Sequence, residues 1–101
     1  MNSAVAHCHL LAEVLSADGM MSESERDMLE RAMSDLGLAD ADRDQVRHFE
    51  GTAGAVEVVA ALPEAERQAI VDALVEAALV DGKLTPNETA TVKRITAAIG
   101  L

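Results

Sequence analysis

The sequence predicts an all-α protein, a compact helical bundle with two pseudo-symmetric helix–Asp-Gly loop–helix units. Three observations carry that prediction. Half of the residues are hydrophobic, mostly Ala, Val, Leu and Met, with one Phe and no Trp or Tyr. That palette suits helix packing, whereas sheets favour aromatic and β-branched side chains. Apolar residues recur at the i, i+3, i+4 spacing of a helix. Part of the chain is also written twice: residues 11–38 align without a gap on 74–101. The identical pairs are Leu11/Leu74, Glu13/Glu76, Asp18/Asp81, Gly19/Gly82, Glu25/Glu88, Arg31/Arg94, Gly37/Gly100 and Leu38/Leu101. A similar core would repeat only apolar positions. Repetition of acids and of an Asp-Gly turn points to equivalent units with a matching acidic corner in each.

The first helix is expected from about Ser3 to Ala17, with Val5, Cys8, Leu11, Ala12 and Leu15 on one face. Asp18-Gly19 stops it, since Gly adopts the left-handed conformation that ends helices. Ser22 opens the second helix, where Ser22 and Glu25 have capping-box spacing and Glu23, Glu25 and Asp27 suit the positive end of the helix dipole. Met28, Leu29, Ala32, Met33 and Leu36 form its apolar stripe, and Gly37 closes it. Asp40 is expected to cap a short helix carrying Val46 and Phe49. Gly51 breaks it, and Thr52 caps a fourth helix through Val56, Val59, Ala60 and Leu62, which Gly54 weakens locally. Pro63 fits the first turn of the fifth helix, which buries Ile70, Val71, Leu74, Val75 and Ala78 and ends at Asp81-Gly82. Thr85-Pro86-Asn87-Glu88 is a second capping box. The last helix buries Val92, Ile95 and Ile99 and ends at Gly100.

The chain of 101 residues is one domain by size. Its 18 acids against 8 Lys and Arg give a formal charge of −10. Such a surface repels phosphates, which excludes nucleic acid as a direct partner and disfavours an anionic membrane face. Cations or a basic protein patch are the natural counterparts. Cys8 is the single cysteine, so no intramolecular disulfide forms. The N-terminus lacks the basic start and apolar run of a signal peptide, and no stretch reaches membrane-spanning length. The expected location is the cytoplasm, without direct membrane insertion.

Each acidic corner reads Asp-Gly-x-(Met or Leu)-(Ser or Thr)-x-x-Glu. Placed on an EF-hand loop, Asp18, Gly19, Met21 and Glu25 fill positions of its second half, as do Asp81, Gly82, Leu84 and Glu88. The first half fails, because Val14, Ser16, Ala77 and Leu79 stand where oxygen ligands belong. A standard EF-hand is therefore rejected. Glu13 and Glu76 add further oxygens. If the two units pack about a pseudo-dyad, Glu13, Asp18, Glu25, Glu76, Asp81 and Glu88 approach one another. Crowded carboxylates raise one another's pKa values or recruit a cation. The same acids have metal-free roles: Glu25 and Glu88 as capping partners, Asp18 and Asp81 as turn residues, Glu13 and Glu76 as partners of Arg31 and Arg94.

Other chemistry finds little support. His7-Cys8-His9 are helix neighbours pointing about 100° apart and cannot readily share one ion, and Cys8 belongs to the apolar stripe. His48 beside Phe49 forms no constellation. No nucleophile–base set and no phosphate-cradling Gly loop is present. Met28 and Met33 are core candidates, while Met20 is expected to be exposed in the turn.

The residues resemble the tellurite-resistance TerB-like family, which also covers N-terminal domains of certain membrane-anchored DnaJ-type co-chaperones. The matching stretches are Leu-Leu-Ala-Glu-Val-Leu-Ser-Ala-Asp-Gly-Met-Met-Ser-Glu-Ser-Glu at 10–25, Leu-Pro-Glu-Ala-Glu-Arg at 62–67, Ala-Ala-Leu-Val-Asp-Gly-Lys-Leu-Thr-Pro-Asn-Glu at 77–88, and the terminal Ile-Gly-Leu. The resemblance implies an all-α fold, a metal-associated acidic site at Glu13, Asp18, Glu25, Glu76, Asp81 and Glu88, and roles in stress-response or membrane-linked assemblies. The expected function is a non-enzymatic interaction module whose corners bind a divalent cation (Ca, Mg, Mn or Zn) or a basic protein surface, with self-association open to it. The alternative is a purely structural scaffold that binds its partner through an apolar groove. A small metal-dependent hydrolase using the same carboxylates ranks third.

Overall fold

Nine of the thirteen residues of α1 (Ser3–Leu15) are buried, and this helix is the hub of the protein. The computed structural model describes residues 1–48, 52–79 and 84–101, and of residues 52 and 53 the backbone alone. The remaining helices are α2 (Glu23–Asp35), α3 (Asp40–Arg47), α4 (Thr52–Ala60), α5 (Glu64–Ala78) and α6 (Pro86–Ala98). No strand occurs among the described residues. A helix that is apolar on nearly every side has to be surrounded, and α1 packs against all five others, most extensively against α4. Helix α6 also packs on α5 and touches α4.

The helix ends follow from local chemistry. Ser22 and Thr85 each accept a hydrogen bond from the backbone N–H three residues on, and Glu25 and Glu88 reach back to the backbone N–H groups of Ser22 and Thr85. Both capping boxes are therefore complete. Both C-termini use the same device: Gly37 (φ 71°) and Gly100 (φ 83°) turn left-handed. Leu38 and Leu101 then donate their N–H groups to the Met33 and Thr96 carbonyls, a Schellman arrangement. The repeated Gly-Leu pair is thus a stop signal with a hydrogen-bonding reason.

Three details differ from expectation. Helix α1 ends at Leu15, two residues early, and a turn carries the chain to Gly19 (φ 113°). Asp40 is the first residue of α3, where it complements the dipole, while Ala39 holds the cap position without a side-chain bond. Pro63 sits one residue earlier than expected, at the cap of α5. The expected roles of Phe49, Gly51, Asp81 and Gly82 lie outside the described residues, as does the side-chain cap of Thr52.

The core contains most of the residues expected there, including Leu11, Leu29, Met33, Val71, Leu74, Val92, Ile95 and Ile99. Two departures matter later. Leu36, expected in the apolar stripe of α2, is 40% exposed, and His9 is completely buried.

Arg67 closes the far end of the fold. Its Nη1 donates to the Ile99 carbonyl at 2.9 Å, neutralising the negative end of α6. Replacing Arg67 with Met is expected to cost about 1–3 kcal/mol, because a charged bond to an otherwise orphaned helix carbonyl is lost. Urea denaturation measures this, and a change within about 0.3 kcal/mol would remove Arg67 as a capping residue.

No helix among the described residues is long and apolar enough to cross a membrane.

Candidate functional site

The loop after α1 delivers Asp18 to the N-terminus of α6. One Asp18 carboxylate oxygen accepts from Thr85 Oγ1 at 2.7 Å, and the other accepts from Asn87 Nδ2 at 2.8 Å. Thr85 is also the cap of α6, with its hydroxyl accepting from the Glu88 N–H at 3.1 Å and its own N–H donating to Glu88 Oε1 at 3.0 Å. Two acids, one from each repeat unit, therefore converge on one threonine. Asp18 is exposed, whereas Glu88 is only 5% exposed. Neither is ion-paired to Lys or Arg among the described residues. Their donors among the described residues are neutral, and the N-terminus of α6 supplies partial positive charge.

A second tie crosses the units further along α1. Arg94 of α6 bonds Glu13 Oε1 at 2.5 Å. The sequence offered Arg31 and Arg94 together as metal-free partners of Glu13 and Glu76, and the pair formed is the one that crosses the units. Its repeat counterpart is not formed: Glu76 and Arg31 are both exposed and make no bridge to each other among the described residues.

The six acids are thus distributed unequally. Glu13 and Asp18 join the first unit to the second, while Glu88 serves the capping box of α6. Glu25 serves its own capping box at α2, Glu76 stands on the surface of α5, and Asp81 lies outside the described residues. No three His, Cys, Asp or Glu side chains are grouped to hold an ion among the described residues. The oxygens at the corner are those of the Asp18 and Glu88 carboxylates and the Thr85 hydroxyl, while Asn87 turns its Nδ2 toward Asp18. Oxygen donors suit hard cations such as Ca²⁺ or Mg²⁺, with water completing the shell.

The sequence did not reveal Thr85 and Asn87 as partners of Asp18. Their only signal was the alignment, which sets Thr85 opposite Ser22 and Asn87 opposite Ser24, polar positions beside each Asp-Gly loop.

The other polar candidates are structural. Burial pushes the Cys8 thiol up to about 11, so it remains a neutral core group at physiological pH. Arg47 bonds Glu30 at 2.6 Å and Asp44 at 2.9 Å, tying α3 to α2. That bond holds the Glu30 carboxyl below its usual value. Met20 is 85% exposed in the turn, as expected.

Fold and corner together define a small, acidic, all-α module in which α1 and the turn after it are tied to α6 through carboxylates. The family model described as Tellurite resistance protein TerB matches residues 4–101, and the chain belongs to that family. No curated protein and no solved structure matches it.

Proposed function

We propose that this TerB-family protein is a non-enzymatic interaction module of a stress-response or membrane-linked assembly, and that its Asp18 corner takes a hard divalent cation. The observation that carries this reading is the convergence of Asp18 and Glu88 on Thr85, where the donors among the described residues are neutral. Two carboxylates at one corner favour a counter-cation over mutual repulsion. Asp18 and the Thr85 hydroxyl oxygen would hold the ion, Asn87 would keep the carboxylate in place through its Nδ2 bond, Glu88 would reinforce the charge, and the bound ion would pin the first Asp-Gly loop against α6.

Calorimetric titration of chelator-treated protein with Ca²⁺, Mg²⁺, Mn²⁺ and Zn²⁺ tests this. The expected result is saturable binding that is lost in Asp18→Asn and in Asp18→Asn/Asp81→Asn. At a hundredfold excess over Kd the ion should add about 2.7 kcal/mol to stability. Binding unchanged in the variants would sink the assignment.

A second reading keeps the module and omits the ion. Glu13, Asp18, Glu25 and Glu88 each already accept a hydrogen bond from within the chain. On this reading they are staples and caps, and the protein meets its partner elsewhere. The absence of any binding heat in the native protein would select it.

A further inference from the structure

A groove runs between α2 and α5 over the outer side of α1. It consists of two adjoining hollows of about 230 and 280 Å³ that share His7 and Leu36. Its apolar lining includes Met28 of α2, Leu36 at the C-cap of α2, and Ile70, Ala73 and Ala77 of α5. The two helices that wall it make at most glancing contact with each other.

The repeat shows that this groove lies where the fold elsewhere places a helix. Leu36 aligns with Ile99, yet Leu36 is 40% exposed and Ile99 only 1%. Carried back along α5, the same alignment pairs Ala69, Ala73 and Ala77 with Ala6, Leu10 and Val14 of α1. The α1 residues are fully buried, whereas Ala69 is exposed and Ala73 and Ala77 are partly so. Helix α4 lies along α1, touches α6 and buries its own Ala55 and Val59. Beside α5 and α2, no described helix of the chain takes the matching place.

We infer that the α2/α5 groove is the docking site for an amphipathic helix of a partner protein, with an apolar stripe flanked by Lys and Arg. The three alanines of α5 allow close approach of a helix, and α4 is the chain's own example of the kind of stripe that fits. The wall from Glu66 to Ala77 is about 16 Å long, the length of three helical turns. Charge selects the flanks. Asp35 and Glu66 line the groove and Asp72 and Glu76 are exposed on α5, against Arg31 alone. A second copy of this chain would bring another −10 of charge to the same face, which disfavours it as the occupant. Helix-in-groove recognition reads such i, i+3, i+4, i+7 anchors. The inference deepens the interaction-module reading and does not depend on a cation at Asp18.

The test is selection of displayed helical peptides of about 12 residues, about three turns, with the full chain as bait. Measurement of the selected peptides against Leu36→Lys and Ala73→Gln follows. Both positions are at least partly exposed, so melting temperature should stay near that of the native protein. The expected outcome is enrichment of apolar-striped sequences with Lys or Arg flanks, whose affinity drops at least about tenfold in either variant. Failure to enrich any peptide, enrichment of unstriped or acidic sequences, or affinity indifferent to both variants would overturn the proposal. So would a dimer, seen by sedimentation, that Leu36→Lys dissolves, since the occupant would then be a second copy. Loss of cation binding at Asp18 changes none of these outcomes, so the two proposals fail separately.

Discussion

Ile99→Ala is expected to cost about 2–5 kcal/mol of folding stability, and Leu36→Ala less than about 1 kcal/mol. The two residues occupy the same place in the repeat, immediately before the Gly-Leu stop, and both are branched aliphatics of equal size. Their surroundings set the difference. Ile99 is sealed at the end of α6, with its carbonyl held by Arg67, so truncation leaves a cavity whose lining loses packing partners. Leu36 already faces water on one side, so its truncation removes little buried surface. For a domain of this size, whose total stability is of order 5–10 kcal/mol, the first change is severe. Urea denaturation of both variants at one temperature decides the matter. Equal losses would mean that Leu36 is covered in solution and that the groove is closed.

Stability is expected to fall as pH drops below about 6.5, and His9→Leu is expected to flatten that fall and raise the melting temperature. His9 is fully buried and neither ring nitrogen has a hydrogen-bond partner among the described residues. Burial lowers its pKa below the ordinary histidine value, with the charge of Asp42 opposing the shift; burial also lowers His7. The unfolded chain therefore binds more protons than the folded one in the window below about 6.5. The histidine contribution is fully present above that pH and is lost as pH falls towards the depressed folded values. An apolar side chain of similar volume removes both the proton linkage and the unsatisfied polar atoms, which cost about 1–3 kcal/mol when buried. Denaturation series between about pH 7 and about pH 5 read the slope directly. An unchanged slope in His9→Leu would show that His9 does not contribute to it.

The helix boundaries were legible because their signals are local. Ser22 with Glu25, Thr85 with Glu88, and the Gly-Leu pairs each state a hydrogen-bonding need that neighbouring residues satisfy. The cross-unit contacts were legible only in part. Repetition marked Glu13, Glu76, Arg31 and Arg94 as a set of partners, but not that Glu13 would pair with Arg94 across the units. The Asp18 tie to Thr85 and Asn87 was not suggested, because it depends on how two loops distant in sequence come together. Leu36 shows a limit of periodicity: the stripe of α2 marks an apolar face but does not reveal whether anything covers it. His9 had a usable signal. It lies in a helix whose neighbours are apolar on nearly every side, so a polar residue there has no exposed face to occupy.

The central position of α1 also shapes how the protein is made. This segment is synthesised before every helix that covers it. Its most extensive contact, with α4, and its contacts with α5 and α6 all join residues far apart in sequence. The nascent chain therefore carries an apolar segment that local pairing with α2 only partly shields. Folding has to wait for the second half of the sequence, since loop closure precedes the contacts that reward it. Until then the emerging chain presents the kind of surface that chaperones bind and that promotes aggregation.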